Sequence, residues 1–209
     1  MTCISTNNGS LNDPAIFGEH QNSYQDPACG KDFTLNYTVA SGTEVLWDDN
    51  KTLSGTLINQ GNFNIQASGV FEGELENEGI LNIEASVVFE GLLTNKATLE
   101  IKSGISGEVK FQGGLVNLGT FAANHNPDAT VHWQGSTRLE QGSVELNGVS
   151  LKISGNVQES GDQFSIQSSN LELTGRTVWM VPRSLTFSDL SLDGHTLLLG
   201  DNVTGLQFS

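Results

Sequence analysis

LSGTLINQGNFNI (residues 53–65), FEGELENEGILNI (71–83), FEGLLTNKATLEI (89–101) and FQGGLVNLGTFAA (111–123) align over thirteen positions without a gap. The columns agree chemically. Leu53, Phe71, Phe89, Phe111 and then Trp133 form one apolar column, with Gly55, Gly73, Gly91, Gly113 and Gly135 two residues later. Leu57, Leu75, Leu93 and Leu115 form a second. Phe63, Leu81, Leu99 and Phe121 form a third, and Ile65, Ile83 and Ile101 a fourth that closes at Ala123. Between them runs a polar column of Asn59, Asn77, Asn95 and Asn117.

Within each segment apolar and polar residues alternate, as at Leu57, Asn59, Phe63 and Ile65. A period of two is the pattern of strands, and the three- and four-residue spacing of a helix is missing. The first column steps by 18, 18, 22 and 22 residues, then continues through Ile153, Leu173 and Leu192 by 20, 20 and 19. One such segment buries nothing alone, but stacked copies make a continuous core. The predicted fold is all-β: a parallel β-helix (β-solenoid) of about eight turns of 18–22 residues. Gly55 and its equivalents are expected at corners, where glycine accepts positive φ. At the third turn the later glycine becomes Ala97 while Asn95 persists. The asparagine is therefore expected to supply the special bonding, as a turn-to-turn amide ladder.

Residues 1–50 do not follow the repeat and are read as an N-terminal cap, since an open solenoid end exposes core and strand edges. Phe33–Tyr37 and Glu44–Trp47 read as strands leading into the first turns. Residues 51–209 are read as the solenoid proper. The ends look cut from a longer protein with flanking domains, because the alternation still runs at Leu206-Gln207-Phe208. Cys3 and Cys29 are the two cysteines. A disulfide closing a loop of about 27 residues contributes roughly 3 kcal/mol and implies an oxidising compartment.

Composition narrows function by exclusion. The 209 residues carry a net charge of −15, which disfavours nucleic acid and anionic membranes. No apolar run is long enough to insert in a membrane. Sequons at Asn8, Asn36, Asn50 and Asn202 are as frequent as chance gives.

The repeat grammar G-x-L-x-N-x-G-x-L-x-I resembles right-handed parallel β-helices of large bacterial surface proteins. Filamentous-haemagglutinin-like and autotransporter passenger domains are the comparison. The likeness is good over residues 53–135 and looser over 136–209. It implies right-handedness, secretion to the cell surface, and a structural or adhesive role toward a surface glycan or protein. It transfers no catalytic residue.

The alternative is a carbohydrate-active β-helix, a lyase, hydrolase or glycan-binding module. A hydrolase needs paired carboxylates at suitable separation. Asp48-Asp49 is the adjacent aspartate pair, but beside Asn50 it reads as a turn. Asp193-Gly194-His195 reads as a turn, and Arg138, Arg176 and Arg183 share no repeat column. No catalysis and no cofactor are expected. Glu72 and Glu90 share an outward column, and two such charges repel by roughly 0.9 kcal/mol in water, which weak calcium binding would relieve. His125, Asp128 and His132 are a weak candidate metal set in a lengthened turn. Trp47 and Trp179 are less constrained than Trp133, and Trp179 is a candidate sugar platform. Thr56, Thr94 and Thr98 do not stack into the threonine column that ice binding wants.

Overall fold

The computed structural model describes residues 2–17, 29–124, 127–160, 163–168, 170–173, 179–180, 185–187, 190–191 and 206–208. His125, Arg176, Arg183, Leu192, Asp193 and His195 lie outside the described residues. The strands form three parallel sheets of nine, ten and eight strands among the described residues. From Asn36 to Ile153 each coil passes once through each sheet, so the chain is a parallel β-solenoid. Sheet 1 contains Asn36–Val39, Leu57–Asn59, Leu75–Asn77, Leu93–Asn95 and Leu115–Asn117. Sheet 2 contains Glu44–Trp47, Asn62–Ile65, Ile80–Ile83, Thr98–Ile101 and Thr120–Asn124. Sheet 3 contains Thr52–Leu53, Gly69–Phe71, Val87–Phe89, Gly107–Phe111 and Ala129–Trp133. Among the described residues no helix is long and apolar enough to cross a membrane.

The columns of the sequence are columns of the structure. Leu53 pairs with Phe71, Phe71 with Phe89, Phe89 with Phe111, Phe111 with Trp133, and Trp133 with Ile153. All are buried, and the rings stack directly: centroids lie 5.3 Å apart for Phe71–Phe89 and 5.4 Å for Phe89–Phe111. Phe63 meets Phe71 edge-on from sheet 2, joining two walls of the core. Aromatic pairs in these geometries add about 0.5–1.5 kcal/mol each beyond area burial.

The asparagine column forms a buried ladder. Asn59 Nδ2 donates to Asn77 Oδ1, Asn77 Nδ2 to Asn95 Oδ1, and Asn95 Nδ2 to Asn117 Oδ1, each at 2.7 Å. The same nitrogens donate to the Ile80, Thr98 and Thr120 carbonyls, at 2.8, 2.7 and 2.9 Å. Each amide thus ties the end of a sheet 1 strand to the first residue of sheet 2 one rung on. The column opens below Val39, so Asn59 Oδ1 is buried without a partner. It closes at Leu139, and Glu159 follows, also buried.

The glycine column corrects one expectation. None of Gly55, Gly73, Gly91, Gly113, Gly135 and Gly155 is at positive φ. Their role is close approach: a Cβ on Gly73 would overlap the Gly55 carbonyl oxygen, and one on Gly91 the Gly73 carbonyl oxygen. The corners stack backbone on backbone, and a side chain would push the rungs apart.

Thr2–Ile4 and Asn36–Val39 contribute rungs to sheet 1, and Gly9–Ser10 and Glu44–Trp47 to sheet 2. Tyr37 pairs with Leu57, Val45 with Phe63 and Trp47 with Ile65. Cys3 pairs with Tyr37 and is disulfide-bonded to Cys29, with both sulfurs in the core. The break at residue 50 is one of repeat regularity, and strand pairing crosses it. Trp47 is buried between Phe33 and Phe71, at 5.5 and 5.0 Å. Most of the extra coil length goes to one corner. From the inward residue closing sheet 2 to its successor in sheet 3 the chain takes residues 66–68 and 84–86, but 102–108 and 124–130 two coils later.

Candidate functional site

The outward column of sheet 3 stands one residue before the aromatic column: Thr52, Val70, Val88, Lys110, His132, Lys152 and Glu172. It is apolar over its first rungs and charged beyond. The apolar part floors an open groove of about 720 Å³. Phe33 and Lys51 stand at one end, Ser68 and Ser86 along it, and Glu108 at the other. Lys51 Nζ is held 5.0 Å above the Phe33 ring by Asp49 (2.9 Å) and Asn12 Oδ1 (3.1 Å). This size and mixture of apolar floor and polar rim is usual for a ligand cleft.

Past the groove, the charged stretch is hydrogen-bonded across rungs. His132 Nδ1 lies 2.8 Å from Glu108 Oε1, and Nε2 lies 2.9 Å from Ser154 Oγ. Lys110 Nζ is 3.2 Å from the other Glu108 oxygen. Burial holds the His132 pKa below its usual value, against the opposing pull of Glu108 and with help from Lys110 and Lys152. Burial thus favours the neutral imidazole.

The other singled-out residues separate. Asp48 accepts from Ser10 Oγ (2.6 Å) and Asn12 Nδ2 (3.1 Å), while Asp49 pairs with Lys51. They join the N-terminal segment to the first coil and face different partners. Glu72 takes the Ser54 hydroxyl, and Glu78 takes Gln60 Nε2 at 3.0 Å and Lys96 Nζ at 3.1 Å. Gln60 first, then Lys96, hold the Glu78 carboxyl below the usual range. Among the described residues no three His, Cys, Asp or Glu side chains gather around a common point. His132 is turned to Glu108 and Ser154, and Asp128 is not among its partners.

Two features escaped the sequence reading. A second amide ladder lies on the outer face of sheet 2, from Asn82 through Asn64 to Glu44, at 2.7 and 2.6 Å. The groove also went unseen, although the pairs Val70-Phe71 and Val88-Phe89 carry its signal. Reading the residue before each aromatic gives the outer column.

The fold and its surface define the class, a parallel-stranded β-solenoid with a grooved third sheet. The chain matches no protein-family model, no curated protein and no solved structure.

Proposed function

We propose that the chain is a structural and adhesive module of a secreted or cell-surface protein, holding a surface glycan or protein in the groove of sheet 3. The observation carrying this reading is the groove itself, built on a stack whose first rungs are cross-linked by Cys3–Cys29. A rigid stack fixes the spacing of Lys51, Val70, Val88 and Glu108, and rigid presentation lowers the ordering cost of binding. A buried disulfide belongs to an oxidising compartment. The resemblance of the repeat grammar to that of filamentous-haemagglutinin-like and autotransporter passenger domains points the same way.

The test is retention on arrays of immobilised glycans and extracellular-matrix proteins, comparing the protein with Val88→Arg, which fills the groove floor with a charge. Saturable binding lost in the variant is expected. Equal binding by both proteins, or no retained ligand, overturns the reading. A carbohydrate-active β-helix would use the same groove, with Glu108 at its end. New reducing ends or unsaturated uronate released from glycans, with or without calcium, would favour that alternative.

A further inference from the structure

We propose that Ser154 is a nucleophilic hydroxyl, activated by His132 and oriented through Glu108, that takes an acyl group from a small carboxylic ester and passes it to water. This goes beyond the structural and adhesive reading and does not rest on it.

Strand register builds the arrangement. Glu108 pairs with Thr130, and His132 stands two residues further along that strand. His132 pairs with Lys152, and Ser154 stands two residues past Lys152. The step of two keeps Glu108 and His132 on the outward face, and Ser154, the first residue after the strand Ser150–Ile153, reaches His132 from the corner. They form a diagonal across three successive rungs, fixed by backbone hydrogen bonds rather than by a flexible loop.

The polarity of the two hydrogen bonds follows from chemistry. An ionised carboxylate only accepts, so the 2.8 Å contact with Glu108 places the imidazole proton on Nδ1. Nε2 is then the acceptor for the Ser154 hydroxyl at 2.9 Å. A nucleophile bonded to a base that is itself oriented by a third group is the arrangement acyl transfer requires. His132 is 6% exposed, and its burial favours the neutral form that accepts a proton.

Ser54 supplies an internal comparison. It occupies the same corner column as Ser154, in Leu53-Ser54-Gly55 against Ile153-Ser154-Gly155, but donates to the Glu72 carboxylate. A carboxylate is intrinsically a weaker base than a neutral imidazole and removes a hydroxyl proton less readily. Only Ser154 of the two is activated.

The substrate class follows from the surroundings. The Ser154 and Gly155 amides both donate to the Trp133 carbonyl, at 3.0 and 3.2 Å. They are not free for an oxyanion. Stabilisation falls to the ammonium groups of Lys110 and Lys152, which flank His132 in the outward column and pair with Glu108 and Glu172 at 3.2 Å each. Such a site suits esters of small acyl groups with good leaving groups. Ser154 Oγ bonds to the carbonyl carbon as its proton moves to His132 Nε2. The ester C–O bond breaks, and the leaving alkoxide takes that proton as alcohol. Water, deprotonated by His132, then displaces Oγ, giving the carboxylic acid and free Ser154.

The experiment uses the intact protein with two probes, an alkyl fluorophosphonate, which loses fluoride to the serine oxygen, and p-nitrophenyl acetate. Peptide mass spectrometry is expected to place the phosphonyl group on Ser154 and not on Ser54. Release of p-nitrophenolate is expected to rise with pH through a single ionisation below the usual histidine value of about 6.5. Ser154→Ala abolishes both signals, and Ser54→Ala changes neither. Glu108→Gln lowers the rate at least about tenfold and changes the pH profile, with circular dichroism unchanged, and Glu108→Asp restores part of it. Labelling of Ser154 no greater than of Ser54 overturns the proposal. So does ester cleavage that persists in Ser154→Ala, which would assign it to direct attack by imidazole or lysine.

Discussion

Asn77 gives one amide hydrogen to Asn95 Oδ1 at 2.7 Å and the other to the Thr98 carbonyl at 2.7 Å, and both asparagines are fully excluded from solvent. A buried amide is costly unless its donors are satisfied, and here one group satisfies neighbours in two sheets. The ladder therefore fixes register along the stack as well as bonding within it. A slip by one residue would turn the asparagines to the other face and bring outward residues such as Glu76 and Thr94 into the ladder's place.

Position within the ladder sets the cost of breaking it. Asn95→Leu strands the Asn77 donor, the Asn117 acceptor and the Thr120 carbonyl, and is expected to cost about 3 kcal/mol or more. Asn59→Leu breaks one inter-amide bond and removes the acceptor that has no partner. Its cost is expected to be smaller by about 1 kcal/mol. Urea midpoints of the two variants check the order. Equal losses would mean that the second inter-amide bond of Asn95 adds nothing to stability.

Two glycines separate close approach from backbone conformation. Gly91→Ala places a methyl group against the Gly73 carbonyl, where only backbone can give way, and is expected to cost about 2–3 kcal/mol. Gly42 sits at φ +80° with open space around it, so Gly42→Ala is expected to cost about 1 kcal/mol from conformation alone. Thermal unfolding of both variants tests this, and a reversed order would refute the stacking role.

Acid should weaken the stack through His132. Its folded pKa is lowered, chiefly by burial, while the unfolded chain titrates near 6.5. The unfolded state therefore binds more protons just below that pH. The contribution is fully present above about 6.5 and is lost as pH falls toward the folded pKa. Denaturant midpoints between pH 7.5 and 5.5 are expected to fall, and to fall less in His132→Gln. Parallel curves would remove His132 as the cause.

Reduction of Cys3–Cys29 opens a loop with a sequence separation of 26. On the loop-entropy account this costs roughly 3 kcal/mol. The loss is expected to be local, at the first rungs, because each coil touches only its neighbours. Hydrogen exchange with and without reductant should show faster exchange around Tyr37 and Val39 and unchanged protection around Phe111. Uniform loss along the chain would count against nearest-neighbour stability.

The columns at Phe71, Phe89 and Phe111 were legible because one apolar residue at one phase of each coil is enough to mark an inward wall. Asn59 and its successors were legible as a ladder for the same reason: identical residues recurring in register must touch. The glycine role was misread because composition cannot separate positive φ from backbone approach; both demand a missing Cβ. The contact of His132 with Glu108 and Ser154 was hidden for another reason. It joins three different coils along a diagonal, so it appears only once strand register is known. The lengthened coils obscure that register, since spacings of 22 and 20 residues separate Lys110, His132 and Lys152.

The corner between sheets 2 and 3 absorbs four additional residues twice, at 102–108 and 124–130, while Val109 and Val131 remain in line with Val87. Most of the extra coil length therefore lies at one edge of the rod, and the corner between sheets 1 and 2 gains a single residue between Leu139 and Ser143. The edge between sheets 3 and 1, where the glycines stack, keeps one length and behaves as a fixed spine. Foreign peptides grafted at Ser103-Gly104 should be displayed without disturbing the rungs on either side, making this edge the place where new specificity can be acquired while the architecture is conserved.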